Sequence, residues 1–230
     1  MSHVNADSHA DFVKSVWTIV VAGGSGIRFG SRKQFAQIAG RSVVQRSVDV
    51  AASSSSGVVV VVPHDAVEST QLQSPPGVEL VVVAGGETRA ASVRSGLAVL
   101  PDGAEIVLVH DAARPLATAT LFASVIKAVA DGAKAVVPAI AIADTIRHRN
   151  GGVVDRSELL AVQTPQGFDV ATLRSAHAGN DDATDDATLV EAAGHDVVIV
   201  EGEAVNNKLT QPTDLLVATH IIEHRAGKTP

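Results

Sequence analysis

Short apolar runs alternate with segments of helical pattern along most of the chain. The apolar runs are rich in Val and Ile and show no polar alternation, as is typical of strands buried on both faces of a parallel sheet. They predict strands at residues 16–21, 58–62, 78–83, 106–109, 135–137 and 197–200. The segments between them predict helices at residues 42–52, 65–71, 88–100, 118–130, 184–193 and 212–224. This order predicts an α/β fold with a doubly wound, mostly parallel sheet that binds ligands at the carboxyl ends of its strands.

The same pattern predicts a single domain over residues 16–230. Residues 1–15 are polar and lack the apolar core of a secretory signal, so we expect a flexible tail there. No apolar run reaches the roughly 18 residues of a membrane span, so we expect a cytoplasmic protein without a membrane partner.

A hairpin is predicted where the strand–helix order breaks. Residues 139–149 alternate apolar with other residues, a turn is expected at 150–152, and residues 153–157 form a return strand. This insertion, at about residues 140–157, has no core to cover. We expect either a surface excursion or an arm that packs against another subunit.

Composition narrows the function. With 46% hydrophobic and 3% aromatic residues, the chain suits a parallel sheet covered by Ala-rich helices. The net charge of −7 argues against a nucleic-acid partner, because a protein that binds nucleic acid normally carries a basic face. The chain has no cysteine, which excludes disulfides, thiolate metal sites and cysteine nucleophiles.

A glycine-rich turn followed by cations is the strongest chemical signal. It directly follows the first predicted strand and comprises Ala22, Gly23, Gly24, Ser25 and Gly26. Glycines let the backbone approach a polyanion, whose phosphates exposed N–H groups can cradle. Arg28 and Lys33 then add charge where nucleotidyl transfer builds up negative charge. The turn matches neither a dinucleotide fingerprint nor a P-loop. The alternative to a phosphate-binding turn is a strand-to-helix turn that needs its glycines for geometry alone.

Asp111 follows the strand predicted at 106–109. An aspartate at this end of a strand can hold Mg²⁺, which binds through one or two carboxylates together with substrate phosphates. The alternative is an aspartate that caps the next turn. The neighbouring His110 is interpreted as a strand-end residue with a satisfied hydrogen bond, and Arg114 as either structural or functional.

Two further junctions carry candidate residues. Gly86, Glu87 and Ser92 lie where main-chain groups and short side chains can contact a nucleobase or ribose, although capping of the next helix explains Glu87 and Thr88 equally well. Lys208 follows the last predicted strand, where a lone lysine is usually a solvated surface charge. The acidic residues at 181–186 lack the Gly and Glu of a calcium loop and are interpreted as helix caps in a solvated loop.

Eight segments in chain order resemble the 2-C-methyl-D-erythritol 4-phosphate cytidylyltransferase family. They are the turn with Arg28 and the Lys33-Gln34 pair, residues 85–93, 109–115, 144–147, 154–156, 163–168 and 184–187, and the Asn206, Lys208 and Thr210 pattern. The resemblance implies a Rossmann-like nucleotidyltransferase in which the hairpin is a dimerisation arm. It also implies a reaction in which CTP and the erythritol phosphate give a CDP-linked alditol and pyrophosphate.

The resemblance assigns roles to residues. The turn would wrap the triphosphate, Ala112 would also contact CTP, and Gly86, Glu87 and Ser92 would recognise cytosine and ribose. Asp111 would bind the Mg²⁺ cofactor. The residues implied in catalysis or in binding the alditol phosphate are Arg28, Lys33, Arg156, Lys208, Thr145 and Thr164. Thr145 and Arg156 would act in the partner subunit's site of a homodimer.

Two departures from the family pattern leave alternatives open. Arg32 stands where the family usually has Pro before the Lys-Gln pair, which bears on the placement of Lys33. The turn begins Ala22-Gly23-Gly24, as in relatives that make CDP-ribitol. Ribitol-5-phosphate cytidylyltransferase is therefore the closest alternative. A nicotinamide-dependent oxidoreductase is disfavoured because Asp49, at the expected distance from the glycines, lies in a predicted helix. A catalytically inactive homologue would not need Arg28, Lys33, Asp111 and Lys208 together.

Overall fold

The computed structural model describes residues 16–24, 32–179 and 182–227. Its strands are β1 (Val16–Val21), β2 (Gln37–Ile38), β3 (Arg41–Ser42), β4 (Gly57–Val62), β5 (Glu79–Ala84), β6 (Ile106–Asp111), β7 (Ala135–Ala141), β8 (Ile146–Arg147), β9 (Val153–Val154), β10 (Leu160–Val162), β11 (Gln166–Asp169) and β12 (Val197–Glu201). Its α-helices are α1 (Val43–Ala52), α2 (Arg89–Ala98), α3 (Ala119–Ala130), α4 (Val170–Ala176), α5 (Asp186–Ala192) and α6 (Pro212–Ala226).

Eight of the described strands form the central sheet. Its order is β5-β4-β1-β6-β11-β7-β12. Strand β10 also pairs with β7, at residues 139–141, which are the last residues of that strand. Strands β10 and β11 are antiparallel to their neighbours, whereas β1, β4, β5 and β6 pair in parallel and β12 runs parallel to β7. The predicted α/β fold with a mostly parallel sheet is confirmed.

Helices cover both faces of this sheet and give two buried clusters of apolar side chains. Every residue of β4 and β6 is buried, which explains the unbroken apolar runs at residues 57–62 and 106–109. On one face, α2 packs closely against β1 because residue 96 is glycine. A Cβ there would lie 2.7 Å from Ile19 Cγ2. This close packing brings the first residues of α2 near the carboxyl end of β1.

The prediction of a helix at residues 65–71 is wrong. The structure has only a 3₁₀ turn, His64–Ala66, followed by irregular backbone. Ala66 is the one buried residue of that turn and Val67 packs partly against the core, so the segment offers only a narrow apolar face. A single helical turn gains little without such packing.

Several short elements were not predicted. They are the β2–β3 hairpin, the antiparallel strands β10 and β11, and α4. The β11 sequence, Gln166-Gly167-Phe168-Asp169, is short and partly polar, so it does not stand out as an apolar run.

The predicted hairpin is present as β8 and β9, which pair Ile146 with Val154 and Arg147 with Val153. Strand β7 continues through Ile140 and Ala141, so the first residues assigned to the hairpin belong to the central sheet. No helix of the described residues is long and apolar enough to span a membrane.

Candidate active site

A cavity of about 410 Å³ opens at the carboxyl ends of β1 and β6. It brings together many of the residues that the sequence suggested for the site. Those that line it are Ala22, Gly23, Gly24, Lys33, Gly86, Glu87, Ser92, Asp111, Ala112 and Lys208. Ser25, Gly26 and Arg28 lie outside the described residues. The cavity is also lined by Gln34, Thr88 and Arg89, for which the sequence suggested no role in a site.

The turn after β1 is held from both sides. The N–H of Ala22 donates to the Val61 carbonyl at 2.7 Å, which extends the pairing of β1 with β4. Buried Gln34 donates its amide to the carbonyls of Ala22 at 2.9 Å and Gly24 at 3.2 Å. The side chain of Gln34 therefore fixes the part of the turn that faces the cavity.

Two lysines from distant parts of the chain reach the same wall of the cavity. Lys33 Nζ donates to the Leu209 carbonyl at 2.5 Å, and Lys208 Nζ contacts Asp111 Oδ2 at 2.6 Å. The N–H of Leu209 donates to the Ala113 carbonyl at 2.8 Å, so the loop before α6 is attached to the end of β6. Lys208 is therefore a positioned charge rather than a freely solvated one.

A buried network sets the path of the Lys208 loop. Asn206 is fully buried and donates its amide to the Thr164 carbonyl at 2.9 Å. Arg114 Nη1 donates to the Asn206 carbonyl at 2.7 Å, and Nη2 donates to the Val162 carbonyl at 3.3 Å. Arg114 thus holds the loop through carbonyl groups.

Asp111 lies at the end of β6 and is buried, with 8% of its surface exposed. Burial by itself would raise the pKa of its carboxyl group, but the positive charges of Lys208, Arg89 and Arg114 outweigh this effect. Its pKa lies well below the usual range, so the carboxylate is ionised at neutral pH.

Arg89 and Asp186 form an ion pair behind this carboxylate that the sequence analysis missed. Arg89 Nη1 lies 2.6 Å from Asp186 Oδ2, and Arg89 Nε lies 3.5 Å from Asp111 Oδ1. Burial would lower the pKa of Arg89, but the two carboxylates outweigh it and raise that pKa. The sequence pattern of residues 181–186 predicts helix caps in a solvated loop. The capping role is correct for Asp185, which is half-buried and caps α5, whereas the interpretation is wrong for Asp186, which is fully buried.

His110 and Thr164 lie behind the cavity wall. The Thr164 hydroxyl lies 3.1 Å from His110 Nδ1 and accepts the N–H of Asp111 at 3.1 Å. Burial is the largest influence on His110 and lowers its pKa to about 4, so the ring is neutral at pH 7. Nδ1 satisfies the predicted hydrogen bond, whereas Nε2 has no partner among the described residues.

Comparison with known proteins identifies the family. A family model described as 2-C-methyl-D-erythritol 4-phosphate cytidylyltransferase matches residues 16–224. The chain belongs to this family. A Rhodococcus opacus protein of that name is 45% identical over 221 residues, which cover 92% of this chain and 96% of the relative.

Two further comparisons agree with this family. A bifunctional enzyme IspD/IspF from Solidesulfovibrio magneticus is 43% identical over 222 residues, covering 87% of this chain. This chain covers 56% of that enzyme's length. The crystal structure of 2-C-methyl-D-erythritol 4-phosphate cytidylyltransferase from Thermus thermophilus superposes with a TM-score of 0.76 at 36% identity. That superposition covers 91% of this chain and 99% of the other. As a member of this family the chain is an enzyme, a cytidylyltransferase.

The departure from the family pattern at residue 32 has a local explanation in this cytidylyltransferase. Arg32 Nη2 lies 2.9 and 2.7 Å from the two carboxylate oxygens of Asp65. The pair anchors the backbone just before Lys33 to the 3₁₀ turn after β4. Because both side chains are exposed, this anchor contributes little to stability.

Three residues that the resemblance implies in binding the alditol phosphate do not line the cavity. Thr145 and Arg156 are exposed on the hairpin segment, and Arg156 Nη1 donates to the Ala143 carbonyl. Thr164 is buried behind β6 as described above. Their binding roles stay predictions.

Proposed function

We propose that the protein transfers CMP from CTP to 2-C-methyl-D-erythritol 4-phosphate. The products are 4-diphosphocytidyl-2-C-methyl-D-erythritol, a precursor in non-mevalonate isoprenoid synthesis, and pyrophosphate. The observation that carries the proposal is the meeting of Gly23, Gly24, Lys33, Lys208 and Asp111 at one cavity in a chain of this family. The named relatives carry the erythritol substrate in their names, so the ribitol alternative is not favoured.

The charges around the cavity suit this reaction. The attacking group is an oxygen of a phosphate monoester dianion, which forms a bond to the α-phosphorus of CTP as the bond to pyrophosphate breaks. Such a nucleophile needs no general base, and the barrier lies in the repulsion of two anions and in charge growth at phosphorus. Lys33 and Lys208 supply fixed positive charge there, and the cavity holds the reactants together.

Asp111 fits the role of Mg²⁺ ligand. Its ionised carboxylate lines the cavity where the triphosphate would lie. Mg²⁺ binds through oxygen ligands, commonly one or two carboxylates together with substrate phosphates, and Asp111 would supply such a carboxylate. The bound ion would neutralise charge on the triphosphate.

The nucleoside would lie between the β1 turn and the start of α2. Ser92 is buried, and its hydroxyl donates to the Thr88 carbonyl at 3.0 Å, which shapes this end of the cavity. A Cβ on Gly86 would lie 2.5 Å from the Ala91 Cβ, so only glycine fits beside the first turn of α2. These backbone-lined walls suit recognition of a base and ribose by main-chain groups.

The protein acts as a homodimer in this proposal. The hairpin of each subunit would carry Thr145 and Arg156 to the partner's cavity, where Arg156 binds the alditol phosphate. Arg156 and Val153, which is 61% exposed on β9, are both accessible to a partner subunit, as the proposal requires. A cytoplasmic location stays a prediction.

Direct detection of the product tests the proposed activity. Enzyme, CTP, Mg²⁺ and 2-C-methyl-D-erythritol 4-phosphate are incubated and the products are separated by mass spectrometry. We expect the CDP-linked alditol and pyrophosphate in equal amounts. Hydrolysis of CTP without a CDP-linked product would contradict the proposal.

A further inference from the structure

A row of alternating charges runs from the cavity into the interior between α2 and α5. It begins with Lys208 and Asp111 and continues through Arg89 to Asp186, whose Oδ1 lies 3.0 Å from His177 Nε2. Lys208, Asp111 and Arg89 line the cavity, whereas Asp186 and His177 lie behind it and are buried.

The fold itself does not require an aspartate at residue 186. The cap of α5 is the preceding Asp185, which accepts the N–H of Thr188 at 3.0 Å. A carboxylate with no exposed surface is costly to bury, and replacing a whole buried ion pair by well-packed apolar residues is often neutral for stability. The contacts of Asp186 with Arg89 and His177 are therefore the reason for its charge.

The two contacts of Arg89 differ in length. The contact with Asp186 is a hydrogen-bonded ion pair of 2.6 Å, whereas the contact of Nε with Asp111 Oδ1 is 3.5 Å, longer than an ordinary hydrogen bond. Asp186 thus takes the strong bond of the guanidinium group. The positive charge of Arg89 still stabilises the Asp111 carboxylate. However, its guanidinium group donates no direct hydrogen bond to Oδ1.

We propose that Asp186 is a positioning residue that holds Arg89 back from Asp111 and so keeps Oδ1 open to the metal ion. His177 supports Asp186 from the other side. This inference rests on the proposed function, because it takes Asp111 as the Mg²⁺ ligand. Without the charge of Asp186, Asp111 is the remaining ion-pair partner of Arg89 within the described residues. Guanidinium and carboxylate groups prefer paired, bidentate contact, so Arg89 would then close on Asp111 and compete with the metal.

Metal binding without turnover tests this role. Mn²⁺ replaces Mg²⁺, and free Mn²⁺ is measured by electron paramagnetic resonance in the presence of a CTP analogue with a methylene bridge between the α- and β-phosphates. We expect Asp186→Asn to weaken Mn²⁺ binding about tenfold, the scale of losses seen when the partner of a metal ligand is changed. Asp185→Asn removes the same charge from the adjacent residue and should leave Mn²⁺ binding unchanged.

The same assay shows whether Asp186 acts through Arg89. Arg89→Ala should bind Mn²⁺ at least as tightly as the wild type, because the competitor is gone. Adding Asp186→Asn to Arg89→Ala should then have little further effect, whereas independent roles would give additive losses. If Asp186→Asn does not fold, the Arg89→Ala result decides, and weaker Mn²⁺ binding in that variant contradicts the proposal.

Two results would overturn the inference. One is wild-type Mn²⁺ affinity in folded Asp186→Asn, and the other is a wild type that binds no Mn²⁺ with the analogue. Product formation by the wild type is measured separately. A working transferase with either result retains the proposed function and removes this role for Asp186.

Discussion

Charged side chains define the chemistry of the cavity at the scale of single residues. Lys33, Asp111 and Lys208 could be found from the sequence because each follows a strand or a glycine-rich turn, and ligands collect at such places in an α/β sheet. The pair of Arg89 with Asp186 could not, because Asp186 stands in an acidic run that is typical of a solvated cap. Asp186 and Asp185 differ in burial, and burial is decided by tertiary packing.

The two lysines of the cavity wall should dominate turnover. Lys33→Ala and Lys208→Ala should each lower kcat by about 10²–10³-fold, the usual loss when one group that stabilises transition-state charge is removed. Steady-state pyrophosphate release measures this. Lys127→Ala is the matched control, because Lys127 is 75% exposed and pairs with Asp131 on the surface. Near-normal rates in folded Lys33→Ala or Lys208→Ala would remove that lysine from the mechanism.

The Thr164 side chain should stabilise the folded protein. Its buried hydroxyl lies against the neutral His110 ring and accepts the Asp111 N–H, and Thr164→Val leaves these groups without a partner. We expect the free energy of unfolding to fall by about 1–3 kcal/mol, measured by urea denaturation. An unchanged stability together with a raised KM for the alditol phosphate would instead support the binding role implied by resemblance.

At the scale of elements, unbroken apolar runs and capped helices were predictable. Strand β1 has the predicted bounds, and α3 begins after its cap Thr118, whose side chain accepts the N–H of Leu121. Strand β11 was not predictable, because its antiparallel pairing with β6 and β7 comes from the fold and not from an apolar run. The segment at residues 65–71 shows the reverse, since a predicted helix with only a narrow apolar face did not form.

Close packing of α2 on β1 should depend on residue 96. Gly96→Val places methyl groups against Ile19 and should destabilise the protein by about 1–3 kcal/mol, because overpacking a core forces side chains and backbone apart. Thermal unfolding measures the effect. Gly103→Val is the control, since nothing lies within 4 Å of a Cβ there. Equal melting temperatures for the two variants would contradict this account of the packing.

At the scale of the whole molecule, the sheet and its cavity form within one chain, and the hairpin does not take part in that cavity. The alternation at residues 139–149 was enough to predict a hairpin, because it breaks the pattern of buried strands. What the hairpin contacts could not be read from the sequence pattern, since a two-residue ladder with exposed side chains fits a surface excursion or an arm equally well.

Mixing of two impaired variants, assayed at an alditol phosphate concentration too low for Arg156→Ala to use, tests the proposed homodimer. Arg156→Ala should raise the KM for the alditol phosphate far more than the KM for CTP, and Lys208→Ala should be nearly inactive. If the hairpin serves the partner's site, a mixed dimer contains one intact site. An equal mixture should then recover about a quarter of wild-type activity, since half of its dimers are mixed and each has one of two sites intact.

Controls separate this result from simple addition of residual activities. The two variants are unfolded and refolded together, and separately refolded samples mixed afterwards provide the baseline. Activity equal to that baseline, or a monomer in analytical ultracentrifugation at micromolar concentration, would contradict the arm.

The most direct test of the proposed function is the rate of pyrophosphate release from CTP and Mg²⁺, with 2-C-methyl-D-erythritol 4-phosphate and D-ribitol 5-phosphate run in parallel. We expect kcat/KM to be much higher with the erythritol phosphate. Preference for the ribitol phosphate would retain the mechanism and contradict the substrate. No release with either acceptor would contradict the proposed transfer reaction itself.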